Sequence, residues 1–145
     1  MPKKVAQVSV FLENKPGALA KVTEVLGLAG IDLRVLTVAE TGEFGVLRVI
    51  VSDPDAAASA LSKAGFTSEE TEVVAVEIGD HPGGLAKLAK ITSEAGINID
   101  YLYAFVARPH KTAVAIIRTE DPGAVRSVIS SGGMKVLSPE ELYSL

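Results

Sequence analysis

The sequence predicts an α+β protein built from two copies of one small βαββαβ unit, and three observations carry that prediction. Pro16-Gly17-Ala18-Leu19-Ala20-Lys21 returns 66 residues later as Pro82-Gly83-Gly84-Leu85-Ala86-Lys87. The same displacement lays Ala29-Gly30-Ile31-Asp32-Leu33 on Ala95-Gly96-Ile97-Asn98-Ile99. Asp53-Pro54 then matches Asp121-Pro122 at a displacement of 68, so two residues are inserted in between. They fall where Glu40-Thr41-Gly42-Glu43 faces Ala107-Arg108-Pro109-His110-Lys111, a stretch of turn composition. Turns are where a duplicated fold tolerates extra length. Two copies are too few for a solenoid. The expected division is therefore two similar modules, 1–72 and 73–145.

Each element follows in order. Residues 5–12 alternate, with Ala6, Val8, Val10 and Leu12 on one face and Gln7 and Ser9 on the other. Period two with one polar face reads as a strand with one buried side, and Val74, Val76 and Ile78 keep the parity in the second copy. Pro16 and Pro82 read as first helical residues, a position where the missing N–H costs nothing. Leu19, Val22, Leu26 and Ala29 read as the buried stripe of the first helix. Gly30 and Gly96 stand where a left-handed C-terminal cap belongs. Residues 33–40 and 44–52 form a hairpin, repeated by 99–106 and 112–119. Asp53-Pro54 and Asp121-Pro122 read as N-cap and first residue of a second helix, ending before Gly65 and Gly132. A fourth strand closes each copy, over 66–72 and 135–137. The first of these is polar and runs directly into Val73, which leaves its boundary open and a merger with the next strand as the alternative. Ser138-Pro139-Glu140-Glu141 starts a short helix toward Leu145. This order is the ferredoxin-like unit, an antiparallel sheet with two helices on one face.

Composition narrows the function. Lys plus Arg number 14 and Asp plus Glu 18, a net charge of −4, whereas nucleic-acid binders carry a basic face. There is no cysteine, which removes disulfide frameworks, thiolate metal sites and cysteine nucleophiles together and suits a reducing cytoplasm. After Lys3-Lys4 the apolar run is broken by Gln7 and ends at Glu13, unlike the core of a signal peptide. No stretch approaches the ~18 apolar residues of a membrane span. Neither a Ser/His/Asp motif nor a phosphate loop ending in Gly-Lys-Ser/Thr is present, so no enzyme activity is expected. The two histidines, His81 and His110, do not make a zinc site by themselves, and no cofactor or metal is expected.

The repeated loops Asn14-Lys15-Pro16-Gly17 and Asp80-His81-Pro82-Gly83 lie between a strand and a helix. Two readings are open. Asn14 and Asp80 are plain helix caps, or the first-turn amides of Ala18, Leu19, Gly84 and Leu85 point outward and hold a carboxylate or phosphate. Gly84 stands where the first copy has Ala18, so alanine is expected to be accepted there and to favour the helix by up to ~1 kcal/mol. Tyr101, Tyr103 and Phe105 share a strand face by alternation, as a pocket wall, a subunit contact or sheet packing.

The order of elements, the strand ending in Asn/Asp-x-Pro-Gly, the helix ending in glycine and the following Ile-Asn/Asp-Ile/Leu resemble the ACT domain, a small amino-acid-binding regulatory module. The resemblance covers both copies, and the second is the nearer match. It implies a stand-alone pair of ACT modules that binds an amino acid and regulates a separate enzyme of amino-acid metabolism. It also implies ligands at module interfaces, where a loop of one module faces a strand start of another. On this sequence the loop positions are Asn14, Pro16, Gly17, Ala18 and Leu19, with Asp80, Pro82, Gly83, Gly84 and Leu85. The strand-start positions are Asp32 and Asn98, with Tyr101 beyond. Asn98 offers both a donor and an acceptor to an amino acid's head group, whereas Asp32 repels its carboxylate. Leu12 and Ile78 stand where serine-binding members carry histidine, which argues against serine. A constitutive interaction subunit without ligand is the alternative. Open sheet edges need a cover, so a homodimer is expected, with neither nucleic acid nor membrane as partner.

Overall fold

The computed structural model describes residues 4–145; residues 1–3, including Lys3, lie outside the described residues. The chain divides into two units, and the duplication reappears in them. The first spans Ala6–Thr71; the second spans Glu72–Leu145 and takes in residues 4 and 5. The elements of the first copy are β1 (Val5–Glu13), α1 (Ala18–Leu28), β2 (Leu33–Glu40), β3 (Phe44–Val51) and α2 (Pro54–Lys63). After β4 (Ser68–Gly79) come α3 (Gly84–Glu94), β5 (Tyr101–Arg108), β6 (Thr112–Arg118), α4 (Pro122–Ser131), β7 (Lys135–Leu137) and α5 (Pro139–Tyr143).

Both units are ferredoxin-like. In the first, β3 pairs antiparallel with β1 and with β2. In the second, β6 pairs antiparallel with β5 and β4, and β4 with β7. Each has its own core. Val8, Val10, Val22, Leu47, Val49 and Leu61 pack together in the first; Val74, Val76, Leu88, Ala115, Ile117 and Ile129 do so in the second. Those twelve residues are six aligned pairs, so the alternation of the strands and the stripes of the helices serve the same contacts twice. Burying one such side chain fully is worth about 1.5–3 kcal/mol.

The second helices start as their sequence dictates. Asp53 Oδ1 accepts from the Ala56 amide at 3.1 Å and Asp121 Oδ1 from the Ala124 amide at 3.0 Å, each followed by proline at the first helical position. Gly30 and Gly96 end the first helices at φ 73° and 72°, where a Cβ is unwelcome. Ser138 and Glu141 form a reciprocal capping box that starts α5. Lys135 Nζ lies 2.7 Å from Glu141 Oε2. This contact raises the Lys135 pKa and, with the Ser138 amide, holds the Glu141 carboxyl below its ordinary value.

Several expectations are corrected. Leu19 is 43% exposed; Val22 and Leu26 are the buried residues of α1, backed by Ala18 and Val25. The first-copy strand expected over 66–72 merges with the next one, as β4 runs unbroken from Ser68 to Gly79 with no turn residue before Val73. Gln7 and Ser9 are buried, not wet. The Gln7 amide donates to Ser9 Oγ at 3.2 Å, and polar groups that satisfy each other can occupy a buried face. The strand expected from residue 99 starts at Tyr101, because residues 97–100 form no strand.

Candidate functional site

The repeated Pro-Gly step builds a turn. The Ala18 amide donates to the Lys15 carbonyl at 3.3 Å, and the Gly84 amide to the His81 carbonyl at 3.1 Å. Gly17 and Gly83 take φ 90° and 91° with ψ near zero. Proline at the second position and positive φ at the third define a type II turn. Pro16 and Pro82 are therefore turn residues, and the helices begin at Ala18 and Gly84 behind glycine N-caps. The Ala18 and Gly84 amides are engaged in the turn and do not point outward as expected. Leu19 and Leu85 occupy the next position, whose amide has no partner within a helix, and no side chain caps either helix.

Asn14 and Asp80 are accordingly not helix caps. Asn14 Nδ2 donates to the Gly42 carbonyl at 2.8 Å, and Asp80 Oδ2 accepts from the His110 amide at 2.6 Å. Each ties the loop to the tip of its own module's hairpin, β2–β3 or β5–β6. A backbone bond reinforces each tie, from the Asn14 amide to Glu43 and from the Asp80 amide to Lys111. His110 pays for its place with φ 62°, unusual for a residue with a Cβ. His81 is exposed, and its Nδ1 lies 3.0 Å from the Pro82 carbonyl oxygen. A carbonyl only accepts, so this contact requires the proton on Nδ1.

The expectation for Gly84 is overturned. Gly84 is buried, and a Cβ there would collide with the carbonyl oxygen of Gly79. In the first copy the matching strand residue is Glu13. Gly79 lacks a side chain, and a Cβ on it would strike the His81 ring. Gly79, His81 and Gly84 thus close the second loop more tightly than the first.

The strand-start residues are engaged differently in the two modules. Asp32 pairs with Arg34 at 2.9 Å, so a cation offsets its charge. Asn98 Nδ2 donates to Asp100 Oδ1 at 3.1 Å, and the Asn98 carbonyl accepts from Thr119 Oγ1 at 3.0 Å. Arg118 pairs with Asp100 and, at 3.1 Å, with Glu120; the Glu120 and Asp100 contacts raise its pKa. Tyr101, Tyr103 and Phe105 lie opposite Arg118, Ile116 and Val114 on β6 and share one half-buried face.

A cleft opens beside the loop in both modules, at matching positions. In the first, Phe11, Phe44, Phe66, Lys15, Ala18 and Lys21 help line about 390 Å³. In the second, Glu77, Thr112, Met134, His81, Gly84 and Lys87 help line about 430 Å³. Ala18, Gly83 and Gly84 are the predicted site residues that reach these clefts. Leu19 and Leu85 are 43% and 44% exposed. Asn98 lines a separate groove with Thr92 and Ile97. The eleven residues of α3 separate it from Gly84, about 16 Å at 1.5 Å per residue. Loop and strand start therefore do not meet within the second module. Sequence reasoning missed the cleft walls Phe11, Phe44, Phe66, Lys21, Lys87 and Met134. The signal was available in the alignment of the copies, where aromatic residues stand opposite polar or aliphatic ones.

Two ferredoxin-like units, each with a Pro-Gly turn, an uncapped helix start and a cleft beside it, define a pair of small cleft-bearing modules. The profile of the ACT domain pair matches residues 3–145, and the chain belongs to that family. A protein of Bacteroides thetaiotaomicron is 38% identical, with 99% of each chain covered and a TM-score of 0.91. The ligand-free regulatory subunit of aspartate kinase from Thermus thermophilus is 20% identical over 89% of this chain and 93% of that one, TM-score 0.63. Its Thermus flavus counterpart is likewise 20% identical, over 90% and 93%, TM-score 0.63. At that identity the likeness is one of fold. No curated protein matches the chain. Among the described residues, no group of three or more His, Asp or Glu is placed to hold a metal ion, and no helix is long and apolar enough to cross a membrane.

Proposed function

We propose that this chain is a non-catalytic small-molecule sensor of the cytoplasm. It binds an amino acid and regulates a partner enzyme of amino-acid metabolism. The observation that carries the reading is the loop–helix junction built twice: a type II turn, a helix start without a side-chain cap, and a cleft beside it holding Lys21 or Lys87. The positive end of a helix and a lysine both favour a carboxylate. Membership of a family of paired regulatory modules agrees with it. The chain works as a homodimer, in which Asn14, Pro16, Gly17, Ala18 and Leu19, or Asp80, Pro82, Gly83, Gly84 and Leu85, meet Asp32, Asn98 and Tyr101 of a facing module.

Melting temperatures measured with and without each standard amino acid test this, because a ligand that binds only the folded state raises stability with its concentration relative to Kd. At least one amino acid is expected to raise the melting temperature, and no response to any would overturn the reading. Asn98→Asp is expected to weaken that binding ten- to hundredfold, the equivalent of one lost charge-assisted hydrogen bond of about 1.5–3 kcal/mol. Asp32→Asn matters less, because Arg34 already offsets the Asp32 charge.

A further inference from the structure

We propose that the second module carries a further binding site, for an aliphatic carboxylate without an amino group, between α5 and the sheet face away from α3 and α4. Two additions set this copy apart from the first: a hairpin longer by two residues around 107–111, and the helix α5. The first copy has no counterpart of α5, because its chain runs on through β4. Both additions line one cleft of about 310 Å³, Ala107 and Arg108 from the hairpin, Glu141, Ser144 and Leu145 from α5 and the residues after it. The cleft lies wholly within the second unit, and its volume is that of a small-molecule site.

Strand register explains how Arg108 comes to line it. Val76, Ile78, Ala113 and Ala115 pack in the core with Leu88 of α3 and Val125 of α4, so Glu77, Thr112 and Val114 face the other way. Phe105 pairs with Val114 and Val106 with Ala113. An unbroken register would bring Ala107 opposite Thr112. A β-bulge shifts it, and Arg108 stands there instead. Bulges re-aim side chains in this way. On the same face Glu77 and Thr112 stand where the first copy has Phe11 and Phe44, and side chains smaller than the rings leave space there.

The charges select the ligand. Lys135 Nζ lies 2.7 Å from Glu141 Oε2, and Glu77 adds its attraction to the same ammonium. Arg108 is exposed and makes no ion pair among the described residues. Its guanidinium presents a fork of donors that matches a carboxylate. Val114, Leu137 and Leu145 give the cleft an apolar wall for an aliphatic body. An α-ammonium would compete with Lys135 for both carboxylates, which favours an acid that lacks one.

This inference does not depend on the sensor reading, which concerns the loop–helix clefts. The test is a titration of the full chain followed by amide NMR shifts, with three probes. They are 4-methylpentanoate, L-leucine as the same skeleton bearing an α-ammonium, and inorganic phosphate as an anion without an apolar part. 4-Methylpentanoate is expected to saturate and to shift amides within 107–114 and 139–145, with the other two at least tenfold weaker there. Arg108→Gln should weaken it tenfold or more at an unchanged melting temperature, since the exposed side chain holds no ion pair. No saturation, or saturation that Arg108→Gln leaves unchanged, overturns the site. Equal or tighter binding of L-leucine through these same amides overturns the ligand class, and so does equal binding of phosphate. Shifts confined to the loop around Gly83 and Gly84 would put the carboxylate in the loop cleft; this proposal then fails while the sensor reading stands.

Discussion

The two loop clefts share a backbone frame and differ in what lines it. Three phenylalanines are among the residues that line the first; at the aligned positions the second has glutamate, threonine and methionine. The core residues beneath them stay apolar in both copies. Packing punishes change in the interior, where even one methylene is felt. At an exposed strand end the penalty is small, and the chemistry is free to differ. A duplicated protein can therefore keep one fold and carry two specificities, with the loop as the constant part and the cleft wall as the variable part.

The comparison breaks hardest at the helix start. Gly84→Ala forces a Cβ against the Gly79 carbonyl, and overpacking of this kind costs about 1–3 kcal/mol. The first module already carries alanine at the matching position, so chemical denaturation should show this loss for Gly84→Ala. No loss at all would mean that the two loops are equally roomy. The turn glycines sharpen the comparison from the other side. Gly17 and Gly83 have the same positive φ and open space around an added Cβ. Gly17→Ala and Gly83→Ala should therefore each cost about 1–2 kcal/mol of backbone strain, and equally; unequal losses would show that the turns are not the same device.

The smallest effect is expected at α5, an element of the second module. Glu141 is held below its ordinary carboxyl value of 4.5 by Lys135 and Ser138. A carboxyl whose pKa is depressed on folding stabilises fully above that value and loses its contribution as pH falls through the folded one. Acidification below about pH 4.5 should thus lower the protection of the α5 amides relative to their intrinsic exchange rates, and Glu141→Gln should remove that pH dependence of the protection. Identical acid profiles for wild type and variant would show that the Lys135 contact does not hold the helix.

The repeat made most of this fold legible. Two aligned copies turned each ambiguous apolar run into a pair of observations, and the Asp-Pro helix starts and the two glycine caps are local signals that tertiary context did not override. The missed parts were set by contacts distant in sequence. Nothing near Asn14 reveals that its partner is Gly42, or near Asp80 that it holds His110. Pro-Gly reads as a helix opening, whereas the glycine at positive φ requires a turn first. Gln7 and Ser9 alternate as a wet face would, yet they are buried and bonded. For the candidate site, the loop was found and the cleft beside it was not, because Phe11, Phe44 and Phe66 are far apart in the chain and only the fold gathers them.

The tie between loop and hairpin runs in opposite directions in the two copies. Asn14 donates a hydrogen bond to a carbonyl, whereas Asp80 accepts one from an amide. Asparagine can do either; aspartate can only take. Asp80→Asn therefore keeps its bond through the amide oxygen, while Asn14→Asp sets a negative charge against the Gly42 carbonyl. The exchange is permitted one way and forbidden the other. A similarity score that treats the two residues as near-synonyms overlooks this: after the duplication, evolutionary drift at this position had an open direction in one copy and a closed one in its twin.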